Sequence, residues 1–246
     1  MYSFRNDYSE GAHPVVLQAL TETNLKQTSG YGTDDYCAEA AQLIRDLCQA
    51  PNADVHFLVG GTQTNLLVIT SFLASYEAVI AAHTGHVNVH ETGAIEATGH
   101  KVCTAYAPDG KLTPALVESI VNAHSSEHMV APKMVYISDS TEIGTLYTKA
   151  ELVALRECCN KHGLLLFLDG ARLGSAFLPR ERSDSARSGR SDRYVLHRRH
   201  QERRYVRRGS GSEHPPRPLP LAHQAARRHA GQGPSAGRTV QGSADR

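Results

Sequence analysis

The chain has 246 residues, room for one large domain or two small ones, and 40% of it is apolar, enough to build a core. It contains no apolar run of 18 residues or more, which argues against a membrane span. Its net charge of +1 hides a split: residues 1–179 carry 10 Lys+Arg against 19 Asp+Glu, whereas residues 180–246 carry 16 against 6, all 16 of them arginine.

The first residues, MYSFRNDYSEG, lack the basic-then-apolar pattern of a secretory signal. Pro14, after His13, suits the first turn of a helix carrying VVLQAL. Thr33 or Asp34 can cap a second helix, with Ala38, Ala41, Ile44 and Leu47 on one face. HFLV (56–59) reads as a strand, GGTQTN (60–65) as its turn, and 66–76 as an apolar helix. AVIAA (78–82) and KVCTAY (101–106) read as strands, and 85–100 between them as strand and loop. Thr113-Pro114 opens a helix to about Ala123. MVYIS (134–138) is a strand, Lys149–Asn160 a helix and LLLFLD (164–169) a further strand, after which GARLGSA turns away. The five cysteines (Cys37, Cys48, Cys103, Cys158, Cys159) have no framework or C-x-x-C spacing, so reduced thiols and a cytoplasmic location are expected.

Continuous apolar strands separated by helices of this length predict an α/β fold with three layers, a mostly parallel sheet covered on both faces. Ligands of such sheets bind beyond the carboxyl ends of the strands. Three strands end in chemically useful text: GGTQTN, DSTEIGT and DGARLG.

Gly60 and Gly61 allow close backbone approach, and the following helix start offers free N–H groups, with Thr62 and Thr64 as added donors. That suits a phosphate; an ordinary glycine turn with a threonine cap is the alternative. The string lacks the GK[ST] of a P-loop and the third glycine of a dinucleotide fingerprint, which disfavours nucleotides. Asp169 closes an apolar strand, where a carboxylate needs a cationic partner. The protonated nitrogen of a pyridine ring is one candidate; a bridge to Arg172 or a helix cap is the plainer one. Among the 14 histidines, His86 and His90 with Glu91 could imitate a metal set, but without the helical spacing of a zincin no metal site is expected. Stacking of an imidazole on an aromatic cofactor competes with that use.

Together the strings NDYSEGAHP, GYGTDDY, FLVGGTQTN, HTGHVNVHETGAIEATGHKV, ISDSTEIGTLYT and FLDGARLGSA resemble the L-threonine aldolase and β-eliminating lyase family over about residues 4–176. The resemblance implies the aspartate-aminotransferase-like fold, pyridoxal 5'-phosphate as cofactor and a homo-oligomer. It also implies cleavage of a β-hydroxy-α-amino acid substrate to glycine and an aldehyde. Gly61 and Thr62 would hold the cofactor phosphate, His86 would stack on the ring, Asp169 would pair with the ring nitrogen, and Arg172 would place the substrate carboxylate. Where many members have a histidine in the segment matching STEIGT, this chain has Glu142, so proton transfer there needs Glu142 or a water.

The family attaches its cofactor through a lysine in a GGTKNG-like string beyond DGARLG, yet residues 163–246 contain no lysine, so the Schiff-base lysine is absent. Shifting the reading frame by one base lets Gln201-Glu202 encode lysine and lets residues 194–207 encode a string containing GGTKNG. Residues 1–179 are therefore expected to be a partial lyase domain, and 180–246 an arginine-rich, disordered tail translated out of frame. Two alternatives are a catalytically dead fragment and a basic-tailed nucleic-acid-binding protein, in which Arg198-Arg199, Arg203-Arg204 and Arg207-Arg208 would neutralise phosphates. Nucleic acid is the disfavoured partner, since any tail of this charge binds polyanions weakly.

Overall fold

The structure, a computed structural model, describes residues 10–173. Contacts divide the chain into two units, whose described parts are residues 10–56 and 57–173. The first holds α1 (Pro14–Thr23) and α2 (Asp35–Leu47). Pro14 occupies the first turn of α1, as its fixed φ favours. Asp34 caps α2 by accepting from the Cys37 amide at 2.9 Å, and that hydrogen bond lowers its carboxyl pKa. In α2 the intended apolar face is thinly covered: Ala41 is buried, whereas Leu47 is 87% exposed.

The second unit contains α3 (Gly61–Phe72), β1 (Glu77–Ala82), α4 (His86–Val89), β2 (Val102–Ala105), α5 (Pro114–Ala123), β3 (Ala131–Ser138), α6 (Lys149–His162) and β4 (Leu165–Asp169). The four strands are parallel, in the order β2-β1-β3-β4. Because successive side chains of a strand point to opposite faces, the sheet builds two cores. Ile80, Ala82, Val135 and Ile137 pack with Val117 of α5 and Leu155 and Cys159 of α6. Val79, Ala81, Met134 and Tyr136 pack with Ile69 of α3, Val87 of α4 and Ile95. The three-layer α/β expectation is met.

Local chemistry sets the helix ends. Thr113 and Pro114 start α5, and Thr148 and Glu151 form a capping box at α6. Gly163, at φ 63°, ends α6 in the left-handed region that favours glycine.

Two sequence expectations need correction. HFLV (56–59) is not a strand; Phe57 is 46% and Val59 96% exposed, and neither edge of the described sheet takes them up. A short apolar run cannot specify its own pairing partner. The stretch 85–100, read as strand and loop, instead forms α4 and a 3-10 turn at Glu96–Thr98. In addition, α3 begins at Gly61, so most of the GGTQTN string lies inside the helix. The tail expectations, including the arginine pairs, fall outside the described residues.

Candidate active site

From β1 the chain passes to β2 on one side, then crosses to β3 on the other side of β1. The order therefore reverses between β1 and β3, and a crevice is expected at their carboxyl ends. A cleft open to solvent lies there. Four segments supply its wall: Gly61 and Asn65 from the first turns of α3, His86 after β1, Ser138, Ser140 and Glu142 after β3, and Asp169, Ala171 and Arg172 after β4.

Asp169 is held from both oxygens. Its Oδ1 accepts from the Ala171 amide at 3.0 Å, and its Oδ2 accepts from the Tyr136 hydroxyl at 2.6 Å. Asn65 Nδ2 lies 3.5 Å from the same Oδ2 and donates a shorter bond, 2.6 Å, to Glu91 Oε1. The Glu91 side chain has no exposed surface, and its Oε2 lacks a hydrogen-bond partner among the described residues. Burial raises the Glu91 pKa, with Asn65 and His86 opposing the rise and the Asp169 charge adding to it.

Glu142 stands between two basic groups. Its Oε2 accepts from Arg172 at 3.3 Å and lies 3.7 Å from His86 Nδ1. The other imidazole nitrogen, Nε2, is 3.8 Å from Glu91 Oε1. The His86 ring thus spans two carboxylates and is 31% exposed at the cleft.

The α3 start is open. Among the described residues, no side chain caps it at Gly60, and a Cβ at Gly60 or Gly61 would meet nothing within 4 Å. The first N–H groups of this helix have no intrahelical partner, an arrangement that suits an anion.

Five of the six residues singled out from sequence therefore come together: Gly61, His86, Glu142, Asp169 and Arg172. Thr62 neighbours Gly61 on the exposed first turn and is not part of the cleft wall. Asn65, Ser138 and Tyr136 were missed. A tyrosine inside an otherwise apolar strand was the available signal, since a buried phenol needs a partner.

The beta-eliminating lyase family model matches residues 4–196. The chain belongs to the beta-eliminating lyase family. Relatives in this family include the low specificity L-threonine aldolases of Pseudomonas sp. and Pseudomonas aeruginosa. Each is 35% identical over 175 residues, which is 70% of this chain and 50% of the relative. The solved structure of Leishmania major threonine aldolase is 58% identical, with a TM-score of 0.71, and the match covers 72% of this chain and 52% of that one. The chain thus spans about half the length of the curated relatives it matches. Among its described residues, no helix is long and apolar enough to cross a membrane.

Proposed function

We propose that this chain carries the cofactor-binding wall of a pyridoxal-phosphate-dependent aldehyde lyase that cleaves L-threonine or similar β-hydroxy-α-amino acids to glycine and an aldehyde. The observation that carries the reading is Asp169. Its carboxylate sits at the end of β4, in the cleft where the strand order reverses, with donors on both oxygens. Donors on both oxygens fix the orientation of the carboxylate, which suits a partner that brings a proton on a ring nitrogen.

The other residues fit the same group. The open start of α3 at Gly61, with Thr62 beside it, suits a phosphate. His86 presents a flat ring to the cleft. Pyridoxal phosphate, when bound, supplies an electron sink for the pair released as a Cα bond breaks. Arg172 offers a cation for the substrate carboxylate, and Glu142 accepts from it at 3.3 Å. Glu142 Oε2 is then the site for a proton from the substrate hydroxyl, directly or through a water.

None of the described lysines lines the cleft, and residues 163–246 contain none. The chain as written therefore binds the cofactor without a covalent tether and does not turn over. The reading that explains this is a frame change between about Ala176 and Arg182, with an authentic sheet-forming part before it. Resequencing the encoding region tests the frame change directly.

The activity test measures glycine release from L-threonine with added pyridoxal phosphate. The chain as written should match the cofactor alone, and the frame-restored chain should exceed it. Asp169→Ala in the restored chain should return the rate to that of the free cofactor. Release by the unrestored chain well above the free-cofactor rate, abolished by Asp169→Ala, would show that the lysine is dispensable.

A further inference from the structure

We infer that Tyr136 is a positioning residue for Asp169, its hydroxyl fixing the carboxylate as the acceptor that the nitrogen of a bound pyridine ring would meet. The inference rests on the reading of Asp169 proposed above. The sheet register makes the arrangement possible. Ser138 pairs with Asp169 and Tyr136 with Phe167, so Tyr136 and Ser138, two residues apart, share one face of β3 beside the end of β4.

The phenol is only 1% exposed, and the Phe167 ring meets it edge-on with centroids 5.4 Å apart. Ser138 Oγ donates to the Tyr136 oxygen at 3.2 Å, and Tyr136 donates onward to Asp169 Oδ2 at 2.6 Å. The serine bond orients the phenol so that its own proton points at the carboxylate, and such a chain strengthens each of its bonds. Burial, and then the charge of Asp169, drives the Tyr136 pKa far upward, so the hydroxyl remains a donor throughout the working range.

Packing alone does not call for this hydroxyl, because phenylalanine would fill the same core space. The carboxylate does need it. Glu91 lies close enough for its charge to interact with that of Asp169. With the tyrosine proton gone, Oδ2 keeps the long 3.5 Å approach of Asn65, and the carboxylate is oriented from Oδ1 by the Ala171 amide at 3.0 Å.

The test compares two ligands on the full-length chain and its Tyr136→Phe variant. One is pyridoxine 5'-phosphate, which has no aldehyde and cannot condense with lysines. The other is its benzenoid counterpart, with C–H in place of the ring nitrogen. The wild type should prefer the pyridine form. Tyr136→Phe should weaken that form by about five- to tenfold, a fraction of what a hydrogen bond to a charged group is worth because the phenol acts on the ligand through Asp169, and leave the benzenoid form unchanged. Ser138→Ala should weaken the pyridine form about twofold in the same ligand-selective way. Equal weakening of both ligands would assign Tyr136 to packing and overturn the inference. Unchanged or tighter binding of the pyridine form would overturn it too, the latter by making Tyr136 a competitor for the carboxylate. A wild type that does not distinguish the ligands would remove the Asp169 reading as well, whereas discrimination kept intact in Tyr136→Phe would remove the inference alone.

Discussion

Glu91→Gln should change how the stability of this domain depends on pH. The Glu91 side chain is fully buried, one oxygen lacks a hydrogen-bond partner among the described residues, and burial raises its pKa from the ordinary 4.5. The folded state therefore holds the proton more tightly than the unfolded chain does. The native contribution of the group is intact below 4.5 and is lost as pH rises from there through the folded-state pKa. Within that window the wild type loses up to about 1.4 kcal/mol of stability per pH unit from this group, and above it the loss stays constant. Glutamine is neutral at every pH and can still accept from Asn65, so the variant lacks this slope. At pH 4 the two proteins should agree within about 1 kcal/mol, the spread of an ordinary neutral hydrogen bond. As pH rises toward 8 the variant should gain steadily on the wild type and then level off. Urea denaturation followed by far-UV circular dichroism at half-unit pH steps measures this difference. A difference that stays flat from pH 4 to 8, or that turns in favour of the wild type, would refute the assignment of Glu91 as a buried group held toward its protonated form.

Other expectations follow from the packing and the caps. Leu155→Ala, at a fully buried position between α6 and the sheet, should cost about 2–5 kcal/mol in the same denaturation assay. Thr148→Ala removes one half of the α6 capping box and should cost about 0.5–2 kcal/mol, with Thr148→Ser retaining most of the stability. Burial pushes the Cys159 thiol up to about 12, so at pH 8 a thiol reagent should label the half-buried Cys37 and Cys48 first. Cys159 should label only on unfolding, as read by peptide mass mapping of the time course.

Much of the fold was legible because it is written in local terms. The apolar runs at 78–82, 134–138 and 164–169 all became strands of the parallel sheet, the first two largely buried and the third, at the edge of the described sheet, half-buried throughout. Thr113-Pro114 announced a helix start through chemistry contained within a few residues of it. HFLV misled for the opposite reason: whether an apolar run joins a sheet depends on a neighbour that its own residues do not specify.

The site divides in the same way. Gly61, His86, Glu142, Asp169 and Arg172 could be named from sequence because each sits at a strand end or a helix start, or in a motif string. Only the tertiary structure revealed what each of them touches. The β2-β1-β3-β4 order decides which loops meet, because it places the reversal between β1 and β3 and so gathers residues from four separated segments around one cleft. The register of β3 on β4 decides that Tyr136 reaches Asp169, 33 residues away in the chain, and the packing of α3 decides that Asn65 reaches Glu91 across 26. Local sequence sets where a polar group emerges from its strand or helix, but pairing between strands sets which other group it faces, and that pairing is a property of the folded sheet.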